Sequence, residues 1–277
     1  AAEAAADHAI GLPPLNMALA RDMVARTRVA RLLAGYRNEP AADLDALCRS
    51  LVQVAELAAD IGELVELDIN PLLVDAAGVI ALNARIRLAP EGRAEPLAIR
   101  PYPQELEQHI VWQGQPLILR PIRPEDAPQH LAFFNALAAD DVRLRFFSSM
   151  RELPPSQLAS LTQIDYDRAM AFIATRQNAA GEAETLGVVR AVADPDNLGA
   201  EFAIVVRSDL KGLGLGAVLF AKLVDYFLGR GTAFLSGETM SENYGMQKLV
   251  KKFGGQCHPS AEPGVVNLRI DLQSLVR

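Results

Sequence analysis

A glycine-rich run in the C-terminal half of the chain has the residue types needed to bind an anion. The run follows a predicted strand, precedes a predicted amphipathic helix and contains Lys211, Gly212, Gly214, Gly216 and Ala217. Glycine lets the backbone approach a ligand closely, and the first turn of a helix offers unpaired N–H groups and the positive end of the helix dipole. The run is therefore predicted to hold a phosphate or pyrophosphate group.

Other interpretations of this run differ in the ligand. The phosphate loop of nucleoside triphosphatases is excluded, because Lys followed by Ser or Thr is absent after the second glycine. A dinucleotide-binding fingerprint fits in its relaxed form, with Gly212, Gly214, Ala217 and Glu238, but no second set of parallel strands follows. A glycine-rich turn that binds nothing is the remaining alternative, and the run by itself leaves it open.

Composition and charge narrow the class of protein. The chain has 277 residues, half of them hydrophobic, and a net charge of −7, which suits a globular protein of one or two domains. Acidic residues outnumber basic ones in both halves, so nucleic acid is not an expected partner. No apolar run has the length of a membrane span, and Cys48 and Cys257 show neither disulfide nor metal spacing. We expect a cytoplasmic protein without a metal, nucleic-acid or membrane partner.

The second half of the chain predicts helices that segregate from a mostly antiparallel set of strands, an α+β plan. Strands are predicted at 117–121, 169–175, 185–192, 201–207, 233–237 and 265–271, and helices at 124–138, 140–147, 154–161, 218–229 and 242–253. The glycine run thus lies in a strand–helix–strand unit within this pattern.

Two segments of this half resemble the acetyltransferase (GNAT) superfamily. Lys211-x-x-Gly214-x-Gly216-Ala217 is similar to its acyl-CoA pyrophosphate loop, with Lys at the position usually taken by Gln or Arg. Residues 241–254 are similar to the segment in which an Asn opens a helix that ends in an aromatic residue and Gly. The resemblance covers about residues 116–275. It implies a mixed, mostly antiparallel sheet with flanking helices, and acetyl-CoA as co-substrate.

The resemblance also implies positions for the co-substrate. The strand 201–207 would splay from its neighbour, and Val205 and Val206 would contact the pantetheine arm. The loop 211–217, including Gly212, would hold the pyrophosphate, and Asn243 would meet the arm from the other side.

Acetyl transfer to an amine needs a base, because a lysine amine with a pKa near ~10.4 arrives protonated. Glu201, at the start of the splayed strand, is the candidate base, acting directly or through water, and we expect it to be partly buried. No general acid is assigned. Phe253 stands where many superfamily members have Tyr, and Tyr244 is expected to pack at the start of its helix.

The first hundred residues predict helices at 14–36 and 42–59, followed by a hairpin within 63–82. Residues 66–74 and 82–85 resemble the end of an ATP-grasp domain of nucleoside-diphosphate-forming acyl-CoA synthetases. In that family an Asn and an Asp hold Mg²⁺, which prefers oxygen ligands. Asn70 matches the first position, whereas Asn83 replaces the acid, so no metal site is predicted. The segment is interpreted as a small α/β ATP-grasp remnant.

The order of the two segments resembles the bacterial multidomain protein lysine acetyltransferases. We predict an acyl-CoA synthetase-like segment at 1–88, a linker rich in Pro, Gly and charge at 89–110, and an acetyltransferase domain at 111–277. The resemblance implies a protein lysine as acceptor, with an acyl-CoA synthetase as the candidate protein substrate. A small-molecule amine acetyltransferase and a non-catalytic sensor of CoA or nucleotide remain alternatives, and the sequence predicts no oligomeric state.

Overall fold

The computed structural model of the protein describes residues 7–35, 40–89, 99–178 and 180–275, and the chain divides into two units, 1–101 and 102–277. Of the predicted linker 89–110, residues 90–98 lie outside the described ranges, and residues from 102 onward belong to the second unit. Within the described ranges, no helix combines the length and apolar character needed to cross a membrane.

The first unit begins with three helices, α1 (Met17–Ala25), α2 (Ala30–Leu33) and α3 (Leu44–Asp60). The prediction of one helix over 14–36 was wrong, because α1 ends at Ala25 and a turn precedes α2. Side-chain caps mark the helix starts: Asn16 Oδ1 accepts from Leu19 N at 2.9 Å, and Asp43 Oδ1 accepts from Ala46 N at 2.8 Å.

Two small antiparallel pairs complete the first unit. The strands are, in chain order, β1 (Leu64–Ile69), β2 (Leu72–Asp75), β3 (Gly78–Ala81) and β4 (Ala84–Leu88). Strand β2 pairs with β3 as the predicted hairpin. Strand β4, which the sequence pattern did not predict, pairs with β1. Every residue of β4 is exposed.

The second unit is built on one eight-stranded sheet. Its strands are β5 (Gln108–Trp112), β6 (Gln115–Pro121), β7 (Ala169–Gln177), β8 (Ala183–Ala193), β9 (Gly199–Val206), β10 (Phe234–Met240), β11 (Gln256–Pro259) and β12 (Val265–Asp271). The spatial order is β11–β12–β10–β9–β8–β7–β6–β5, and only β9 and β10 run parallel. The predicted mixed, mostly antiparallel sheet is confirmed, although β5 and β11 were not predicted.

Helices cover both faces of this sheet. They are α4 (Ala127–Asn135), α5 (Ala139–Phe146), α6 (Pro155–Thr162), α7 (Leu215–Gly229) and α8 (Tyr244–Lys252). Buried residues of α7 recur at helical spacing and pack on β7, β8 and β9: Leu215, Leu219, Phe220, Leu223, Val224 and Phe227. Burying each such side chain stabilises the fold by about 1.5–3 kcal/mol.

The central strand β7 is buried on both faces. Met170 and Phe172 belong to the cluster around α7, whereas Ala171 and Ile173 pack with Phe133 of α4 on the opposite face. Successive side chains of a strand point to opposite faces, so β7 lies between two apolar layers. These layers form the rigid support for β8 and β9.

A buried ion pair joins the end of β6 to the start of α4. The Arg120 guanidinium donates to both Asp126 carboxylate oxygens, at 2.8 and 2.6 Å, and both residues are buried. Asp126 also accepts from the Arg123 backbone N–H at 2.9 Å. The carboxylate is therefore satisfied on both oxygens, as a buried charge requires.

Candidate active site

Strands β9 and β10 separate within the sheet. Their parallel pairing covers only Gly199–Glu201 opposite Phe234–Ser236, whereas β9 stays paired with β8 as far as Val206. Gly237 follows the last paired residue and still lies close to β9, because a Cβ there would come within 2.9 Å of the carbonyl oxygen of Phe202. The strands part beyond this point. The splay that the family resemblance implies is therefore present, and it opens a cleft beside β9.

This cleft has a volume of about 1010 Å³, the size of a site for a large ligand. Its walls come from β9, the glycine loop, the first turn of α7, the end of β10, α8 and α5. All of the predicted site residues line it: Glu201, Val205, Val206, Lys211, Gly212, Gly214, Gly216, Ala217 and Asn243. The structure thus brings together residues that span 43 positions of sequence.

Two glycines of the loop have conformations that other residues rarely adopt. Gly212 has φ +77° and Gly214 has φ +87°, both in the left-handed region, and a Cβ at either position would meet open space. Gly216 differs, because it lies in the first turn of α7 and a Cβ there would make an ordinary contact, 3.7 Å from Val206. Backbone conformation therefore requires glycine at the first two positions and not at the third.

The loop offers a continuous run of free donors. From Lys211 to Gly216, six consecutive backbone N–H groups donate no hydrogen bond to any described residue. Intrahelical bonding begins with Ala217 and Val218, whose N–H groups donate to the Gly214 carbonyl at 3.0 and 3.2 Å. Unpaired N–H groups at a helix N-terminus favour an anionic ligand.

The Lys211 side chain is engaged by the protein itself. Its ammonium forms an ion pair with the buried carboxylate of Asp141 on α5. The same carboxylate accepts from Ser208 Oγ at 2.5 Å, and Ser208 Oγ accepts from the Ala138 N–H at 2.8 Å. Lys211 was predicted to serve the ligand, but its side chain connects the loop to α5, and its backbone N–H is the part left free.

Glu201 occupies the closed end of the splay. It is the last residue of β9 that pairs with β10, opposite Ser236, and its carboxylate lines the cleft. The expected partial burial was wrong, because the side chain is exposed. A second carboxylate, Glu238 of β10, lines the opposite wall. An exposed carboxylate at this position can exchange a proton with a ligand directly or through water.

Helix α8 forms the other wall. The Asn243 side chain caps this helix, because its Oδ1 accepts from Met246 N at 3.1 Å. Tyr244 was expected to pack at the helix start, but it is 69% exposed and lines the cleft. Lys248 and Lys252 also line the cleft and give this wall positive charge.

Helix α5 supplies residues that sequence reasoning missed. Leu144, Arg145, Phe146 and Phe147 all line the cleft, and Phe147 has φ +56°, which is unusual for a bulky residue. Strained backbone of this kind is found preferentially at functional sites. The run of an arginine and two aromatic residues at the end of a predicted helix was the available signal.

The first unit holds the two residues matched to the synthetase metal site. Asn70 N donates to the Asn83 carbonyl at 3.0 Å, and both side chains are exposed. Over the described ranges, no three or more His, Cys, Asp or Glu residues are grouped so as to hold a metal ion.

Two family models match different parts of the chain. The acetyltransferase (GNAT) domain model matches residues 116–256, and the ATP-grasp domain model matches residues 1–88. The acetyltransferase PA5475 of Pseudomonas aeruginosa is 31% identical over 156 residues, which cover 56% of this chain and 83% of that protein.

Two further relatives correspond to the two units. The ADP-forming acetate–CoA ligase I of Archaeoglobus fulgidus is 33% identical over 85 residues, 31% of this chain, but the chain spans only 12% of the ligase. The crystal structure of the GNAT domain of S. lividans PAT superposes with a TM-score of 0.56 at 24% identity, covering 62% of this chain and 99% of that domain. At 24% identity, the likeness to this structure shows a shared fold alone.

Proposed function

Because the chain belongs to the acetyltransferase (GNAT) family, we propose that it moves an acetyl group from acetyl-CoA to the side-chain amine of a protein lysine, with Glu201 as general base. The free N–H groups of residues 211–216 carry the co-substrate part of this proposal. They offer the pyrophosphate of acetyl-CoA a row of donors at the positive end of α7.

The opened edge of β9 suits the remainder of the co-substrate. Val205 and Val206 line the cleft beyond the point where β10 leaves, so the pantetheine arm can lie along this edge. Its amide groups would hydrogen-bond to backbone that has no strand partner there. An N–H of the same edge would stabilise the oxyanion that forms on the thioester carbonyl.

The reaction is a direct attack. The neutral amine nitrogen bonds to the thioester carbonyl carbon, the carbon–sulfur bond breaks, and the nitrogen gives up a second proton, which the leaving thiolate of CoA takes up. Glu201 removes the ammonium proton, directly or through water, from a group that approaches the closed end of the splay.

Two features support a protein lysine as acceptor. The synthetase-like first unit precedes the acetyltransferase domain, as in the multidomain protein lysine acetyltransferases that the sequence resembles. The volume of the cleft, about 1010 Å³, also leaves room for a side chain carried by a folded partner. An acyl-CoA synthetase is the proposed partner.

The base assignment is tested with Glu201→Gln. We expect kcat to fall by about 10²–10⁴-fold while the Kd for acetyl-CoA is retained, because only proton transfer is lost. Glu238→Gln, which removes a carboxylate from the opposite wall, is the matched control and should keep the rate within a few-fold. Full activity of Glu201→Gln would discard this base.

The acceptor is tested with labelled acetyl-CoA and three sets of amines: acyl-CoA synthetases, polyamines and aminoglycosides. Labelled lysine in a synthetase, located by mass spectrometry, is the expected result. Transfer to free amines alone would select a small-molecule acetyltransferase. Binding of acetyl-CoA without transfer to any amine would select a sensor.

A further inference from the structure

Three basic side chains meet behind one wall of the cleft. Arg145 of α5, Arg190 of β8 and His130 of α4 line a cavity of about 20 Å³. Arg145, Phe146 and Val205 line both this cavity and the cleft, so the cluster borders the place where Glu201 and the predicted pantetheine contact lie.

Among the described residues, no carboxylate forms an ion pair with the arginines of this cluster. Arg190 Nη2 donates to the Leu161 carbonyl at 2.6 Å, and the Arg145 guanidinium lies 5.0 Å from the Phe146 ring centroid. Neither arginine forms an ion pair with a described residue. The buried His130 Nδ1 has no hydrogen-bond partner either.

Electrostatics agree with this geometry. Burial, with the neighbouring charge of Arg145 adding to it, lowers the pKa of Arg190 to about 10. Burial also lowers the pKa of Arg145, and the negative charge of Glu201 offsets only part of that lowering. The contrast within the same unit is Arg120, whose burial is matched by both oxygens of Asp126.

We propose that Arg145, supported by Arg190, binds a carboxylate carried by one of the two substrates. A guanidinium offers a planar fork of donors that fits a carboxylate bidentately, and stacking on Phe146 leaves that fork available. This inference rests on the proposed function, because it assigns a specificity-determining residue to the same cleft.

Two sources of the carboxylate fit this position. Arg145 borders the cleft together with Glu201, where the amine is expected, and with Val205, where the acyl carrier is expected. The carboxylate is therefore either the end of a dicarboxylic acyl group, such as succinyl, or an acidic residue beside the acceptor lysine. Each source defines one arm of the test.

The acyl arm uses the full chain without an acceptor. Calorimetry compares succinyl-CoA with butyryl-CoA, which has the same number of acyl carbons and no charge. We expect succinyl-CoA to bind about tenfold or more tightly, and Arg145→Gln to abolish that ratio, because a charged hydrogen-bond pair is lost. Arg143→Gln, on the same helix but paired with Glu242, should keep it.

The acceptor arm measures kcat/KM with acetyl-CoA for lysine peptides flanked by Glu or by Gln. A preference of about tenfold for the acidic peptide, lost in Arg145→Gln and partly kept in Arg145→Lys, would assign the carboxylate to the acceptor. Thermal unfolding of each variant checks that it is folded.

The outcomes separate the two proposals. No charge preference in either arm, or an unchanged preference in folded Arg145→Gln, would overturn the carboxylate subsite while leaving acetyl transfer intact. Failure of every CoA thioester to bind the folded wild-type chain would overturn the proposed function and this inference together.

Discussion

The two units of the chain bury very different amounts of apolar surface. Among the described residues, 4 of the 35 buried apolar residues lie in 1–101, whereas 15 of the 22 exposed large apolar residues lie there. The second unit encloses a sheet between two apolar layers, whereas the buried apolar residues described in the first are three of α3 and Ala20 of α1.

This difference shows which interactions determine the helices and strands of each unit. In the first unit, local signals define the elements: the Asn16 and Asp43 caps, and the turn from Asp75 to Gly78. In the second unit, packing defines them, and packing is what holds catalytic groups in place to within a fraction of an ångström. The cleft accordingly lies in the unit with the large core.

The largest expected contrast is between the two units produced separately. We expect 102–277 to unfold in urea with one cooperative transition and 1–101 to show none, because cooperativity requires a common core. Circular dichroism measures both transitions, and acetyl-CoA binding measures the cleft in 102–277. A steep transition of 1–101 alone would show that the first unit has a cooperative core of its own.

The next contrast compares two ion pairs. Asp126→Ala leaves the buried Arg120 without its partner and should cost about 3–5 kcal/mol of unfolding free energy. Asp45→Ala removes the exposed partner of Arg21 in the first unit and should leave the unfolding midpoint unchanged. Urea titration of both variants is the measurement, and equal losses would refute the comparison.

A third contrast concerns histidine and pH. Burial, with the charge of Arg190 adding to it, lowers the pKa of His130 to about 4. An unfolded histidine titrates near ~6.5, so the unfolded state binds the extra proton first, and stability falls as pH drops from about 6.5 to 4. The loss approaches ~3 kcal/mol. His130→Gln should remove most of this dependence, whereas His8→Gln, at an exposed position, should not.

The smallest contrast compares two glycines with positive φ. Gly214→Ala in the loop should cost about 1–3 kcal/mol of unfolding free energy, because alanine strains a backbone with positive φ. Gly78→Ala strains only the hairpin of the first unit and should leave the transition of the second unit unchanged. Only Gly214→Ala should weaken acetyl-CoA binding, since it alters the orientation of the loop N–H groups. Thermal unfolding and calorimetry separate the two effects, and weaker binding by Gly78→Ala would count against the loop assignment.

Much of the fold could be predicted because strong periodicity survives in the sequence. Helix α7 and strands β7, β8 and β9 have long apolar patterns and fall close to their predicted bounds. The missed strands β5 and β11 are short, lie at the two edges of the sheet and carry polar residues, and β11 ends at Pro259. Short edge strands with polar residues or proline resist pairing with other chains. The same residues interrupt the alternating apolar pattern by which a strand is recognised in a sequence.

Some residues of the candidate site could likewise be predicted from local sequence, and others could not. The loop 211–217 could be predicted because its residues are contiguous, and Glu201 because the strand predicted before the loop begins with it. The ion pair of Lys211 with Asp141 joins residues 70 positions apart, so no local pattern carries it. Arg145 and the two aromatic residues after it form a recognisable run, but only tertiary packing shows that this run reaches the cleft.

The splay between β9 and β10 has a consequence for association with other chains. A sheet that opens in its interior acquires two additional edges, and unpaired edges are templates for intermolecular β-pairing. Here the two edges converge at Glu201 and Ser236, and α5, α7 and α8 contribute to the surrounding walls. The helices around the opened strands therefore restrict access to both edges, so the splay does not present a free template for aggregation.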